Sequence, residues 1–347
     1  MNFAPRGLSG APENVSIFAQ NKGNMDLSII IISYNTEALL RNCLNSVYGA
    51  EWKSSYEIIV VDNNSKDGTL EMLRNEFPEV KVIANSVNNL FAKANNQGAA
   101  IASGRWLLLL NSDTIVEGDN LQRLLDYADT LPDDVVCVGP KILNTDRTLQ
   151  SEGWFGLSHY AVVAQYYKLA SILPTCIGKR ILPPATYAWN RNIPHEVGWV
   201  SGAAMLINAE KYREAGGLNE RIEFYGEEPE FCYRCHKKGL RTMYYPHSSV
   251  MHIWGGSTKP LTGNVVEIIC RRYARVAEET VGYDYEILSL RLINLSRWIK
   301  YLISPQEYTK GIITINNAKI KYMKNLKKEK KNRERREREE ERKGNKE

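Results

Sequence analysis

Apolar runs alternate with polar, turn-forming stretches through the first 140 residues. Leu27-Ser28-Ile29-Ile30-Ile31-Ile32 is an almost unbroken β-branched run, the form a strand takes when both its faces are covered, and it stops at Ser33-Tyr34-Asn35. Leu39, Leu40, Leu44 and Val47 then fall at helical spacing within residues 36–48, and residues 56–61 read as a second strand. A helix at 70–77, a short strand at 80–84, a helix of small residues and Asn at 91–102 and a strongly apolar strand at 106–110 follow. The order β-α-β-α-β-α-β predicts an α/β fold whose first half is a parallel, doubly wound sheet.

After a helix at 121–128 and a strand at 135–138 the pattern turns irregular from 144 to 196, where Trp154, Tyr160, Tyr166, Tyr167, Tyr187 and Trp189 stand among Gly and Pro. Long aromatic loops of this kind tend to carry function. Regular signals return as a strand at 197–208, a helix at 209–215, a helix after Glu227 and a strand at 241–245. Residues 264–303 are helix-forming, and 288–303 mixes Leu290, Leu292, Ile293, Leu295, Trp298, Ile299, Leu302 and Ile303 with Arg291, Arg297 and Lys300. That is more apolar surface than one face of a soluble helix needs. Arg, Lys and Trp suit a membrane interface, and packing against the main domain accounts for the pattern equally well.

A chain of 347 residues can form one large domain with an appendage or two smaller domains. The net charge of +5 is concentrated, because residues 321–347 hold thirteen Lys plus Arg against seven Glu, a net of +6. The nearly neutral remainder argues against a nucleic-acid-binding core, which needs a basic groove. The tail itself reads as a charged helix or a disordered segment, either simply solvated or drawn to anionic lipid. Cysteines at 43, 137, 176, 232, 235 and 270 are scattered, so reduced thiols on the cytoplasmic side are expected. Residues 1–25 read as a flexible polar leader rather than a signal peptide, and no apolar stretch reaches the ~18 residues of a spanning helix.

Candidate chemistry lies in three acidic segments. Asp62 closes the second strand and is followed by Asn63, Asn64, Ser65, Asp67 and Gly68, a turn in which it could merely cap the next helix. Asp113 repeats the arrangement after four leucines, and a carboxylate emerging there can ligate a hard cation. Open parallel sheets bind ligands outside the carboxyl ends of their strands. Later, Glu227-Glu228-Pro229-Glu230 opens a helix whose N-terminus the acids complement, yet three acids around one turn exceed that need. Gly198-Trp199-Val200-Ser201-Gly202 fits either close approach of a flat ligand or tight strand packing. Cys232, Cys235 and His236 match a haem-attachment spacing, but without an export signal or a second cysteine pair, buried helix positions are the simpler account.

Taken together, Ile30-Ile31-Ile32-Ser33-Tyr34-Asn35, Val61-Asp62-Asn63-Asn64-Ser65-Lys66-Asp67-Gly68-Thr69 and Asn111-Ser112-Asp113-Thr114 resemble the opening of a family 2 glycosyltransferase, over roughly residues 26–258. The resemblance implies the GT-A fold, here a mostly parallel doubly wound sheet with a C-terminal helical appendage. It also implies a dTDP-, UDP- or GDP-linked sugar donor, with Mg or Mn bridging the donor's diphosphate. By the same match Ser33, Tyr34, Asn35 and Asn64 line the nucleotide pocket and Asp62 hydrogen-bonds the base. Asn111, Ser112 and Asp113 occupy the metal-binding motif, with Asn111 where an acid is usual. Trp199, Ser201 and Gly202 fall near the donor sugar and acceptor, and the acceptor's base falls on Glu228, a Glu in place of the commoner Asp, with Glu227 as second choice. His252, beside Gly255-Gly256-Ser257-Thr258, resembles the close of the catalytic domain in rhamnosyltransferase-like members; it is expected as a metal ligand or diphosphate contact, and His247 as structural.

These expectations divide the chain into a leader (1–25), a catalytic domain (26–262, with a nucleotide and metal half at 26–130 and an acceptor half at 131–262), a helical segment that could associate with membrane (263–320) and a charged tail (321–347). The implied protein is an inverting hexosyltransferase, peripheral at the inner face of the cell membrane. It passes a sugar, rhamnose in the first instance, to a polysaccharide or lipid-linked glycan of the cell envelope. The departures at Asn111 and Glu228 keep one competitor in view, a non-catalytic sugar-nucleotide-binding or scaffold protein of glycan assembly. A dinucleotide oxidoreductase is disfavoured, since Ser33-Tyr34-Asn35 stands where a Gly-x-Gly-x-x-Gly would follow the first strand.

Overall fold

A computed structural model describes residues 25–151, 192–223, 225–253, 265–303 and 306–344. Strands β1 (Met25–Ser33), β2 (Tyr56–Asp62), β3 (Lys81–Ala84) and β4 (Gly104–Asn111) pair in parallel in the order β3-β2-β1-β4. Helices α1 (Glu37–Tyr48), α2 (Thr69–Glu76) and α3 (Leu90–Ile101) connect them. The apolar runs fill both faces because side chains alternate across a strand. Ile29, Ile31, Leu108 and Leu110 belong to one core layer with Leu40, Leu44 and Leu73, whereas Ile30, Leu107 and Leu109 belong to the other with Ala92, Ala94 and Ala99. The small residues of α3 let it lie close to the sheet: a Cβ at Gly98 would meet Ile30 at 2.5 Å.

The second half is mixed. β9 (Ala204–Asn208) runs antiparallel between β4 and β6 (Val135–Leu143), and β6 pairs in parallel with β10 (Arg241–His252). β10 also pairs antiparallel with β5 (Thr114–Ile115) and β8 (His195–Val197), and β7 (Leu149–Ser151) folds back on β6. Helices α4 (Asn120–Ala128), α5 (Ala209–Glu214) and α6 (Glu227–His236) complete the layers.

Two expectations on element boundaries are corrected. The strand expected at 197–208 is interrupted, because β8 ends at Val197 and β9 begins at Ala204; the Asn111 N–H donates to the Ala203 carbonyl at 3.1 Å, one step beyond the β4–β9 ladder. β10 continues past 245 to His252 with a register break after Tyr245. The helix-forming stretch at 264–303 forms two helices, α7 (Val265–Glu279) and α8 (Tyr283–Ile303), parted at Gly282, whose φ of +83° an L side chain would rarely adopt. Cys232 and Cys235 are fully buried in the second core layer and His236 contacts Thr242 at 3.2 Å, which removes the haem reading. The six aromatics and Cys176 of the irregular stretch lie outside the described residues.

The tail forms helix α9 (Glu307–Gly344). Its Ile320 and Met323 pack with Ala274 and Ala277 of α7 and Ile287, Leu290 and Ile293 of α8. The appendage therefore has its own small core, and α7 joins it to the main body: Glu279 pairs with Arg221 at 2.9 Å and accepts from Asn219 at 3.3 Å. Only part of the apolar surface of α8 is used. Leu295, Trp298, Ile299 and Leu302 remain exposed, Leu302 at 76%. Among the described residues, no helix is long and apolar enough to cross a membrane.

Candidate active site

Strand register assembles the first side of the site. Ser33 of β1 lies opposite Asp62 of β2, and Ile32 lies opposite Asn111 of β4, so the turns after all three strands open at one edge. Asn35 and Asn64 hold φ of +54° and +67°, which Asn tolerates better than most residues. The first two turns are tied together: the Asn35 N–H donates to Ser65 Oγ at 2.8 Å, and the Lys66 N–H donates to Asn35 Oδ1 at 2.7 Å. Asp62 is fully buried beneath them. Its Oδ2 accepts the Ser65 N–H at 3.0 Å, its Oδ1 has no hydrogen-bond partner, and burial raises its pKa. An orphaned buried acceptor costs stability unless a ligand donor satisfies it. Ser33 Oγ meets Thr36 Oγ1 at 2.9 Å, and Thr36 in turn reaches Ser112 Oγ at 3.3 Å. The Tyr34 ring stays partly exposed.

The second side is built where β4, β5 and β10 meet. Asp113 is buried between β4 and β5, and pairing of His252 with Thr114 brings the imidazole over it, with Nε2 at 3.2 Å from Asp113 Oδ1 and 3.3 Å from Asn111 Nδ2. Gln150 of β7 holds the ring through Nδ1. Its amide nitrogen donates to Asn144 Oδ1 (2.8 Å) and to the His252 carbonyl (3.1 Å), so its oxygen must accept from His252 Nδ1–H at 2.7 Å. Nε2 is then the ring nitrogen that faces Asp113. Among the described residues no three His, Cys, Asp or Glu side chains converge as a metal cluster; Asp113 and His252 form a pair, with the Asn111 amide beside it.

The third side comes from α6. Glu228 Oε1 accepts the Gly202 N–H at 3.0 Å, and Ala203, the next residue, holds Asn111. A Cβ at Gly202 would meet the Glu228 carboxylate at 2.1 Å, so any larger residue there displaces that group. Burial raises the Glu228 pKa. Glu227 is buried too; burial and then the neighbouring Glu228 push its pKa up to about 8, and its Oε1 has no hydrogen-bond partner. Glu230, the third acid of the cluster, points elsewhere and pairs with Arg234 at 2.9 Å, while Arg234 also donates to the carbonyls of Ala215 and Gly217. Trp199 packs partly against the second core layer and Ser201 flanks the Gly202 turn. Sequence reasoning missed Gln150 and Thr36; neither stands in a motif that the chemistry singled out, and only strand pairing brings Gln150 to a histidine 102 residues away.

Residues 28–182 match the family model described as glycosyl transferase family 2. An O-antigen biosynthesis protein, RfbC, of Myxococcus xanthus is 26% identical over 250 residues, which are 70% of this chain and 18% of that protein. The N-acetylglucosaminyl-diphospho-decaprenol L-rhamnosyltransferase of Mycobacterium tuberculosis is 24% identical over 256 residues, 67% of this chain and 77% of that protein. The chain thus spans less than a fifth of the Myxococcus relative. Among solved structures, the mannosyltransferase PcManGT from Pyrobaculum calidifontis, in complex with GDP-Man and Mn2+, superposes with a TM-score of 0.54 at 12% identity, covering 89% of each chain. The fold shared with it is GT-A.

Proposed function

We propose that this chain, which carries a glycosyl transferase family 2 domain, is an inverting, metal-assisted glycosyltransferase that moves a sugar from a nucleotide-diphosphate donor to a glycan or lipid-linked acceptor. The observation that carries the reading is the convergence on one sheet edge of Asp62, the Asn111 to Asp113 turn with His252, and Glu228 held through Gly202. Asp62 offers its orphaned Oδ1 to an N–H of the nucleotide base, and the Ser33 to Asn35 turn with Asn64 flanks that pocket.

Asp113 and His252 Nε2 are the groups that would hold a hard divalent cation together with the donor diphosphate. Mg or Mn held there would offset the charge that develops on the departing nucleoside diphosphate. The Mn2+ and GDP-Man of the structural neighbour support that use of the edge. Gln150 keeps the imidazole in the ligating tautomer. Glu228 takes the proton of the attacking acceptor hydroxyl, and the Gly202 N–H fixes the position of its carboxylate. Trp199, Ser201 and Gly202 border the space between this base and the donor edge.

The name of the mycobacterial relative makes an activated rhamnose and a diphospholipid-linked acceptor the first substrates to test. Screening dTDP-, UDP- and GDP-sugars for thermal stabilisation, with and without Mn or Mg, tests the donor reading. Stabilisation that needs both sugar nucleotide and metal is the expected result, and metal-dependent donor hydrolysis separates an enzyme from a non-catalytic binding protein.

Attachment at the cytoplasmic membrane face belongs to the same reading. The exposed Leu295, Trp298, Ile299 and Leu302 of α8 supply an apolar face, and the Lys and Arg residues of α9 supply positive charge. Burial of each such side chain contributes about 1.5–3 kcal/mol, and each cation near anionic lipid about 1 kcal/mol. The full chain is expected to sediment with anionic vesicles at low salt, and Trp298→Glu with Leu302→Glu to release it without loss of donor binding. Full-length protein that stays in the supernatant would remove the membrane assignment.

A further inference from the structure

A cavity of about 650 Å³ opens between β6, the β6–β7 turn, the first turn of α4 and β10. It originates in a break of strand pairing. β6 and β10 run in register from Cys137 opposite Thr242 to Pro140 opposite Tyr245, and the next pair is Lys141 opposite Ser249, so Pro246, His247 and Ser248 have no partner on β6. Looping three residues out of an internal strand forfeits ladder hydrogen bonds, and bulges gather beside active sites, where they re-aim side chains. This one is pinned open. The buried Ser248 donates its hydroxyl to the Asn120 carbonyl at 2.7 Å, and the Ser249 N–H donates to Asn120 Oδ1 at 2.8 Å.

Three cations, Arg123, Lys141 and Arg147, line the cavity against one carboxylate, Glu117. Glu117 pairs with Arg147 at 3.0 Å, and Arg123 reaches Asp119 at 3.0 Å outside the lining. Both pairs are well exposed, so a ligand anion displaces them at small cost. Two guanidinium forks and an ammonium match the several oxygens of a phosphate better than the two of a single carboxylate. The cavity also adjoins the reacting centre: Ser249 precedes His252 by three residues on β10, roughly 10 Å of extended chain, and Leu149 of the lining is next to Gln150.

We infer that this cavity binds the phosphate or diphosphate group carried by the acceptor. The anion site stands on the bulge and the cations; its assignment to the acceptor rests on the proposed glycosyl transfer. Calorimetry on the full chain in EDTA, which keeps the donor-diphosphate edge without its cation, tests it with two probes, inorganic pyrophosphate and geranyl diphosphate. Geranyl diphosphate is expected to bind at least as tightly as pyrophosphate, and Lys141→Gln and Arg123→Gln each to weaken it by about tenfold, the scale of one charge-assisted hydrogen bond. Donor-induced stabilisation should be unchanged in both variants. Arg123 is exposed, so its variant tests the site even if Lys141→Gln disturbs the strand. Wild-type affinity in both variants overturns the anion site. Tighter binding of pyrophosphate than of geranyl diphosphate overturns the acceptor assignment in favour of a free anion. Because binding is read without turnover, failure of the glycosyl-transfer reading would show separately, as an absence of donor stabilisation.

Discussion

Glu228→Gln is expected to lower turnover by roughly 10² or more while donor affinity holds, because a positioned general base contributes about 10²–10⁴ in rate. The substitution preserves the pocket: the Gln carbonyl oxygen can still accept the Gly202 N–H that Glu228 Oε1 accepts at 3.0 Å. What it removes is the capacity to take a proton. Burial raises the Glu228 pKa, and a base works only when deprotonated. Activity of the unmodified chain should therefore rise with pH along a limb displaced above the ordinary carboxylate range, and that limb should vanish in the variant. Steady-state kinetics across pH, with donor-induced thermal stabilisation as the binding control, check both parts. Glu227, with its pKa pushed up to about 8, is the neighbouring acid on the turn. If Glu228→Gln turns over normally and Glu227→Gln does not, the base is Glu227.

Asp113→Ala should abolish the metal-dependent part of donor binding. Asn111 and Ser112 are neutral, so Asp113 is the sole carboxylate of that turn, and it is buried where His252 Nε2 approaches at 3.2 Å. A single imidazole cannot hold a hard cation that prefers oxygen ligands. Gln150→Leu should give a smaller loss, about 10–100-fold in metal affinity, because the imidazole loses the partner that fixes its tautomer. Calorimetric titration of Mn and of donor with Mn reads both variants. Unchanged metal-dependent affinity in Asp113→Ala would take Asp113 out of the metal site.

Much of the scaffold was legible in the residues because it depends on local pattern. The unbroken runs in β1 and β4 mark strands that need cover on both faces, and Ile29 and Ile30 fall in opposite core layers. Asp62 and Asp113 follow such runs directly, so their emergence at strand ends could be read from the chain. The acids of α6 were legible as a cluster, but not their division of labour. Glu230 is consumed by Arg234 four residues on, while Glu228 meets a backbone N–H 26 residues earlier in the chain.

Where the reading stopped, the deciding contacts were non-local. Gly198 to Gly202 lies within a run that looks like one strand, yet the Gly202 N–H turns to Glu228 and the chain leaves the sheet between β8 and β9. β10 outruns its apolar signal because its polar residues find partners on α4, as Ser248 and Ser249 do at Asn120. Composition left the tail between helix and disorder; α9 carries it as helix to Gly344, anchored on α7 and α8 at Ile320 and Met323. By itself the sequence determined the α/β scaffold and the positions of its candidate acids, since periodicity and strand ends are properties of neighbouring residues. Only the tertiary structure decided which groups meet: the Gln150–His252 bond and the Glu228–Gly202 bond join segments 102 and 26 residues apart, and loop closure over such distances leaves no trace in local pattern.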